Sequence, residues 1–230
     1  MNKYFIKRAT SKLKSTPELR WDDPARENSD ILVIENFWDK EPASGFRPKV
    51  KFRMQWDSDY LNGIFLVKDK YVRALVTDPN GFVHKDSCVE FFVEPSGGSG
   101  YCNFEMNATG VLHLSHIEDP TYVHKPGQLF AKMRFWTLED IAAVKRVASL
   151  KGPITEEMVG DCTYTVAFQI PLKILCAYTK APLPEIGSVW RGNVFKCGDD
   201  LSHPHWGFWN PIGDILKFHT PNNFGELVFV

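Results

Sequence analysis

Apolar and polar positions alternate along much of the chain. From Lys49 to Trp56, Phe52, Met54 and Trp56 fall on one side, and Lys51, Arg53 and Gln55 on the other. That is the period of a strand with one face buried. Asp57-Ser58-Asp59 predicts a turn, residues 60–67 a returning strand, Lys68-Asp69-Lys70 a second turn and residues 71–76 a third strand. Asp78-Pro79-Asn80-Gly81 is a strong turn signal. Further strands are expected at 31–38, 111–116, 162–169, 189–196 and 226–230. Residues 144–150 fit either a strand or the end of a helix, and residues 117–130 and 198–224 read as loop. Helix signals are few. Thr137-Leu138-Glu139-Asp140 matches a capping box, and Pro171 precedes a short apolar segment at 173–178. Many short strands and little helix predict an all-β fold, an antiparallel β-sandwich with a few short helical segments. Residues 1–20 are basic and polar and are expected as an N-terminal arm, with one sandwich domain over 21–230.

The stretch 84–107 carries the chemistry. Cys88–Glu94 is nearly all apolar and aromatic, so it reads as buried on both faces, yet Glu90 sits in its middle. A buried carboxylate is costly unless it is paired or hydrogen-bonded. Arg53 and Arg191 are the structural partners the sequence offers. Tyr101–Asn107 alternates, with Phe104 and Met106 on one face and Tyr101, Asn103, Glu105 and Asn107 on the other. Such a polar row on a rigid strand is either an ordinary solvated sheet face or a set of donors and acceptors for a hydroxyl-rich ligand.

Composition narrows the function classes. The 230 residues are 43% apolar and 13% aromatic, enough for a substantial core. The net charge of −1, with no basic block, argues against nucleic acid and anionic membrane as partners. No apolar run reaches the roughly 18 residues of a membrane span. The N-terminus lacks the apolar core of a signal peptide, which predicts a cytoplasmic protein if that end is native and a secreted or periplasmic one if a leader precedes it. Five cysteines without a CxxC spacing are expected to be free thiols, with Cys88, Cys162 and Cys176 buried. Asp199, Asp200, His203 and His205 crowd one loop, either as metal ligands without a recognised spacing or as a loop ordered by its own hydrogen bonds. Trp21, Trp38, Trp56, Trp136 and Trp190 are expected in the core or beneath loops.

In order, the segments DSCVEFFVEP, YCNFEMNATG, YTVAFQIPLKIL, WRGNVFKCGDD and HWGFWNPIGDILKFHTPNNFGELVFV resemble the family 9 carbohydrate-binding modules, and more closely the stand-alone family-9-like proteins among DOMON-like β-sandwiches. The resemblance spans roughly residues 20–230. It implies non-catalytic binding of a mono- or oligosaccharide in a groove on one sheet, in polysaccharide breakdown, with a glycoside hydrolase acting alongside. It also implies a structural calcium ion, whose ligands the resemblance does not assign. Glu90 matches a position that contacts sugar hydroxyls, and Glu105 and Asn107 match the polar pair beside it, with Glu105 standing where the family has arginine. The two stacking tryptophans of the family fall at about His84 and Phe218, the latter followed by His219, so Trp206 and Trp209 are candidate replacement platforms. Two other classes fit some of these residues. A Glu90/Glu105 pair on adjacent strands suits a glycoside hydrolase. Met106, His84 and His219 are the residues that a haem-binding sandwich of this kind would use.

Overall fold

The alternation at residues 49–56 becomes strand β4 (Lys49–Trp56), which runs antiparallel to β5 (Tyr60–Ala74). The computed structural model describes residues 1–14, 16–125 and 128–230, without the side chain of His124. The first sheet adds β11 (Ile154–Pro171) against β5, β10 (Lys145–Ala148) against β11, and β2 (Leu32–Ile34) against β4. The second sheet runs β14 (Gly225–Phe229), β12 (Val189–Gly198), β6 (Cys88–Glu94), β7 (Tyr101–Asn107), β8 (Leu112–Lys125) and β9 (Gln128–Phe135). Alongside it, β13 (His205–Phe208) pairs with β12 and with β3 (Asn36–Phe37).

Strand β1 (Lys3–Arg8) joins the two sheets. Lys3–Ile6 pair with β14, and Lys7 and Arg8 cross over to β4. Both pairings are parallel, in a sandwich whose other ladders are antiparallel. The segment expected as an arm therefore begins as a sheet strand. Residues 9–14 and 16–20 lie outside any strand, with the Leu13 N–H donating to Asp57 (3.0 Å) and the Gln169 amide to the Lys14 carbonyl (2.7 Å).

The inner faces meet in an aromatic core. Phe52 and Phe168 of the first sheet lie 6.0 and 5.8 Å from Phe91 of the second, centroid to centroid. Gly63 stands in register with Phe168, whose ring covers it. A Cβ at Gly63 would collide with that ring, so Gly63→Ala is expected to cost about 1–3 kcal/mol of stability. Urea denaturation checks this, and a variant as stable as the parent would show that the ring has room to move.

Helix α1 (Leu138–Ala143) starts where the capping box predicts, with Thr137 Oγ1 accepting from the Asp140 N–H (3.1 Å). Helix α2 (Leu172–Thr179) follows Pro171 and ends at Lys180, which takes the left-handed conformation (φ 58°).

Three expectations about elements change. Lys68-Asp69-Lys70 is not a turn: β5 runs straight through it, because Asp69 points inward to an ion pair with Lys196 (3.3 Å). Residues 117–125 and 128–130 are strand, not loop, although 126 and 127 lie outside the described residues. The β8–β9 ladder breaks register three times, which hides its period in the sequence. The loop at 198–224 contains β13 and a 3-10 turn at Pro221–Asn223.

Candidate functional site

The outer face of the second sheet carries the odd-numbered positions of β7 and β12 and the even-numbered positions of β6. Phe195, Glu90, Glu105 and His113 stand in register across β12, β6, β7 and β8. Segment 205–224 folds over this face and builds two apolar clusters on it. One gathers Phe92, Tyr101, Ile117, Phe130, Phe195 and Phe224, and the other Val83, Cys88, Cys197 and Trp206. Between them a cleft of about 910 Å³ remains open. Its floor holds Glu90, Asn103, Glu105, His113 and Ser115.

Glu90 is only 2% exposed and has neither expected cationic partner. Arg191 pairs with Glu94 (2.6 Å), while Arg53 donates to the Trp21 carbonyl (3.3 Å) and lies over the Trp21 ring. Glu90 Oε1 instead accepts from the Cys197 thiol (3.1 Å), with the Cys88 thiol at 4.0 Å. Desolvation raises its carboxyl well above the usual range, and the neighbouring Cys197 and Glu105 raise it further. Glu105 is held differently. Ser115 donates through its N–H (2.8 Å) and hydroxyl (2.7 Å) to Asn103 Oδ1, and Asn103 Nδ2 donates to Glu105 Oε1 (2.7 Å). His219 bonds the Tyr101 hydroxyl through Nδ1 (2.8 Å) and places Nε2 3.9 Å from Glu105 Oε1. Burial pushes His219 down to about 4 against the pull of Glu105, so the ring is neutral at pH 7. In both glutamates the hydrogen bonds among the described residues use Oε1, and both side chains line the cleft. Oε2 of each makes no hydrogen bond among the described residues.

The walls are aromatic. Phe82 and His84 come from the turn that carries His84 at Val83–Lys85. The His84 and Lys85 carbonyls anchor that turn by accepting from the Asp199 and Asp200 N–H groups (3.0 and 3.2 Å). Phe82 is 64% exposed and packs edge-on to His84. Phe218 stacks on Phe195 at 4.1 Å, Tyr122 and Phe135 rise from the β8–β9 hairpin, and Trp206 donates its indole N–H to Asp199 (2.7 Å). Desolvation raises the Asp199 carboxyl, opposed by His84 and by that indole bond.

Of the residues expected at the site, His84, Glu90, Glu105, Trp206, Phe218 and His219 line this one cleft. Asn107 and Trp209 do not. Asn107 is fully buried, and its Nδ2 donates to Asp86 Oδ2 and the Val76 carbonyl, both at 3.0 Å. Its Oδ1 accepts from the Thr109 and Val111 N–H groups (3.2 and 3.0 Å). It fastens the segment leading to Phe82 and His84, and has no group left for a ligand. Trp209 is in the sandwich core beneath Gly225. Met106, on the opposite face of β7 from Glu105, is also in that core.

Asn103, one of the polar row on β7, also lines the cleft, together with Ser115, His113, Asp199, Phe82, Tyr122 and Phe135, which the sequence does not place there. For Asn103 the signal existed, since it shares the polar row with Glu105. For the aromatics there was none, because their position depends on long-range packing. The Asp/His loop disperses: Asp200 pairs with Lys85 (3.2 Å), His203 stacks on Tyr71 and His205 bonds Lys196. Among the described residues, the side-chain cluster with ligand spacing is Cys88, Glu90 and Cys197. Calcium takes oxygen ligands, so this sulfur-rich set does not fit the calcium ion that the resemblance implies.

A search of curated proteins finds no match. Among solved structures, a protein of Bacteroides uniformis described as a candidate carbohydrate-binding protein is 30% identical, with a TM-score of 0.82 and 99% of each chain covered. A family 9 carbohydrate-binding module of Caldicellulosiruptor kristjanssonii, solved with cellotriose, is 13% identical with a TM-score of 0.62, covering 99% of this chain and 93% of that one. The same organism's module solved with glucose gives 14% and 0.62, covering 100% and 96%. At those identities the likeness concerns the fold. The model of carbohydrate-binding family 9 matches residues 26–229, nearly the whole chain. The chain belongs to carbohydrate-binding family 9.

Proposed function

We propose that the protein binds a mono- or oligosaccharide non-covalently in the cleft over β6, β7 and β8. The observation that carries this reading is the floor: two carboxyl groups in register on adjacent strands, each with one oxygen left for a ligand, and no cation among the described residues spent on Glu90. A pyranose offers a rim of hydroxyl donors and acceptors and an apolar face. The first suits Glu90, Glu105, Asn103 and His113, and the second suits a ring such as Phe82 or Phe218. Aromatic side chains of the cleft supply flat surface where the family's tryptophans are replaced. The relatives solved with glucose and cellotriose make glucose and β-linked glucose oligomers the first ligands to test. A glycoside hydrolase acting on the same polymer is the partner this role suggests.

Isothermal calorimetry with glucose, cellobiose and cellotriose tests the reading. One saccharide per chain is expected, with modest affinity, because each new hydrogen bond replaces one to water. No heat with any of these or with a wider glycan panel would overturn it. Appearance of a cleaved product would make Glu90 and Glu105 an acid/base or nucleophile pair instead.

A further inference from the structure

Cys88 and Cys197 are register partners across β6 and β12, and Glu90 follows Cys88 on the same face two residues on. Strand geometry alone thus points two thiols and a carboxyl at one spot. Their ligand atoms lie within 4.8 Å of one another, and the three residues are 0%, 1% and 2% exposed. Without a metal the cluster is a pair of buried thiols bonded to a carboxyl. Against it stands the poor solvation of Glu90, a nearly buried acid whose donors among the described residues are two weak thiols at 3.1 and 4.0 Å. A cation among the three groups would remove that cost.

We propose that Cys88, Cys197 and Glu90 form a binding site for a thiophilic divalent cation of the zinc type at the floor of the cleft. Two sulfurs and one oxygen suit such an ion and not calcium. Three protein ligands leave the fourth tetrahedral position open, and Cys197 and Glu90 both line the cleft, so that position faces solvent and any bound ligand. Binding replaces the two thiol protons, and any proton on the Glu90 carboxyl, with the metal, and these protons leave to solvent. In the metal-free chain both thiols hold those protons firmly: burial pushes Cys88 up to about 12 and Cys197 well above its usual range.

The test needs no saccharide, so its outcome is separate from the function proposed above. Cobalt(II) is titrated into the reduced full chain. A thiolate-to-cobalt charge-transfer band saturating at one equivalent, with the visible bands of tetrahedral cobalt, is expected, and zinc should displace it. Cys88→Ser and Cys197→Ser should each cut the band to half or less, the double variant should remove it, and each single variant should weaken zinc binding by more than the roughly 10–100-fold that loss of an outer-shell partner costs. Cys162→Ser, on the other sheet, should leave the band unchanged. Absence of the band in the parent, or its survival at full intensity in both Cys88→Ser and Cys197→Ser, would overturn the site. If those variants fail to fold, proton release from the parent decides: zinc should free at least two protons per ion, and release of none would refute thiolate ligation.

Discussion

Asp69→Ala is expected to lower stability by about 3–5 kcal/mol, since removing one member of a buried pair leaves the other charge uncompensated. The charge left behind is Lys196, which is 0% exposed inside the sandwich. Its Nζ lies 3.3 Å from Asp69 Oδ2 and donates to His205 Nε2 (2.8 Å) and the Cys197 carbonyl (3.0 Å). His205 accepts that bond because its Nδ1 faces the His203 carbonyl (2.9 Å), and burial together with the Lys196 charge pushes it down to about 3. Burial works to raise the Asp69 carboxyl, but Lys196 and the Lys70 and Tyr71 N–H groups outweigh it, leaving it below its usual value. No other carboxylate among the described residues forms an ion pair with Lys196. Urea denaturation at pH 7 measures the loss, and the double variant Asp69→Leu/Lys196→Met should recover most of it. A single variant within about 1 kcal/mol of the parent would show that Lys196 reaches water or gives up its proton.

Glu105→Ala is expected to weaken saccharide binding by about 10–100-fold without unfolding the chain, because a hydrogen bond to a charged group is worth about 1.5–3 kcal/mol. The fold should survive. Glu105 is joined to the protein by one strong hydrogen bond, from Asn103, whose Nδ2 would then face the cleft and water. Glu90→Gln makes a useful contrast. It keeps the shape, removes a poorly solvated acid and should leave stability unchanged or raised while still weakening binding. Calorimetry with the tightest-binding saccharide reads the affinity and thermal melting reads the fold. A folded Glu105→Ala protein with unchanged affinity would move the site off this row.

The residues that define the cleft were partly visible in the sequence. Period-two alternation puts Glu105 and Asn103 on one face of β7, and the lone acid among aromatics singles out Glu90. Alternation says which face a side chain takes, but not which part of that face stays open. Residues 205–224 decide that, by covering Phe92 and Tyr101 at one end and Cys88 at the other. Asn107 shares the polar row with Glu105 yet is spent on Asp86 and Val76, contacts made only once the 74–88 connection has folded back on β7. Asp69 carries the opposite lesson. Flanked by exposed lysines, it has the local signature of a turn, and its partner lies 127 residues away in β12, where Lys196 breaks an otherwise apolar inner face. Trp209 lies in the core against expectation for a similar reason, since a tryptophan in a Gly/Pro-rich loop gives no sign of whether it turns inward or outward.

We place the saccharide on the outer face of β6, β7 and β8, between the two loop-built clusters. Amide chemical-shift mapping during a saccharide titration tests it most directly. Shifts are expected to concentrate at residues 82–84, 90, 103–105, 113–115, 197–199 and 216–219, with little change in the first sheet. Shifts centred on the first sheet, or saturating binding that leaves residues 90 and 105 unmoved, would contradict it.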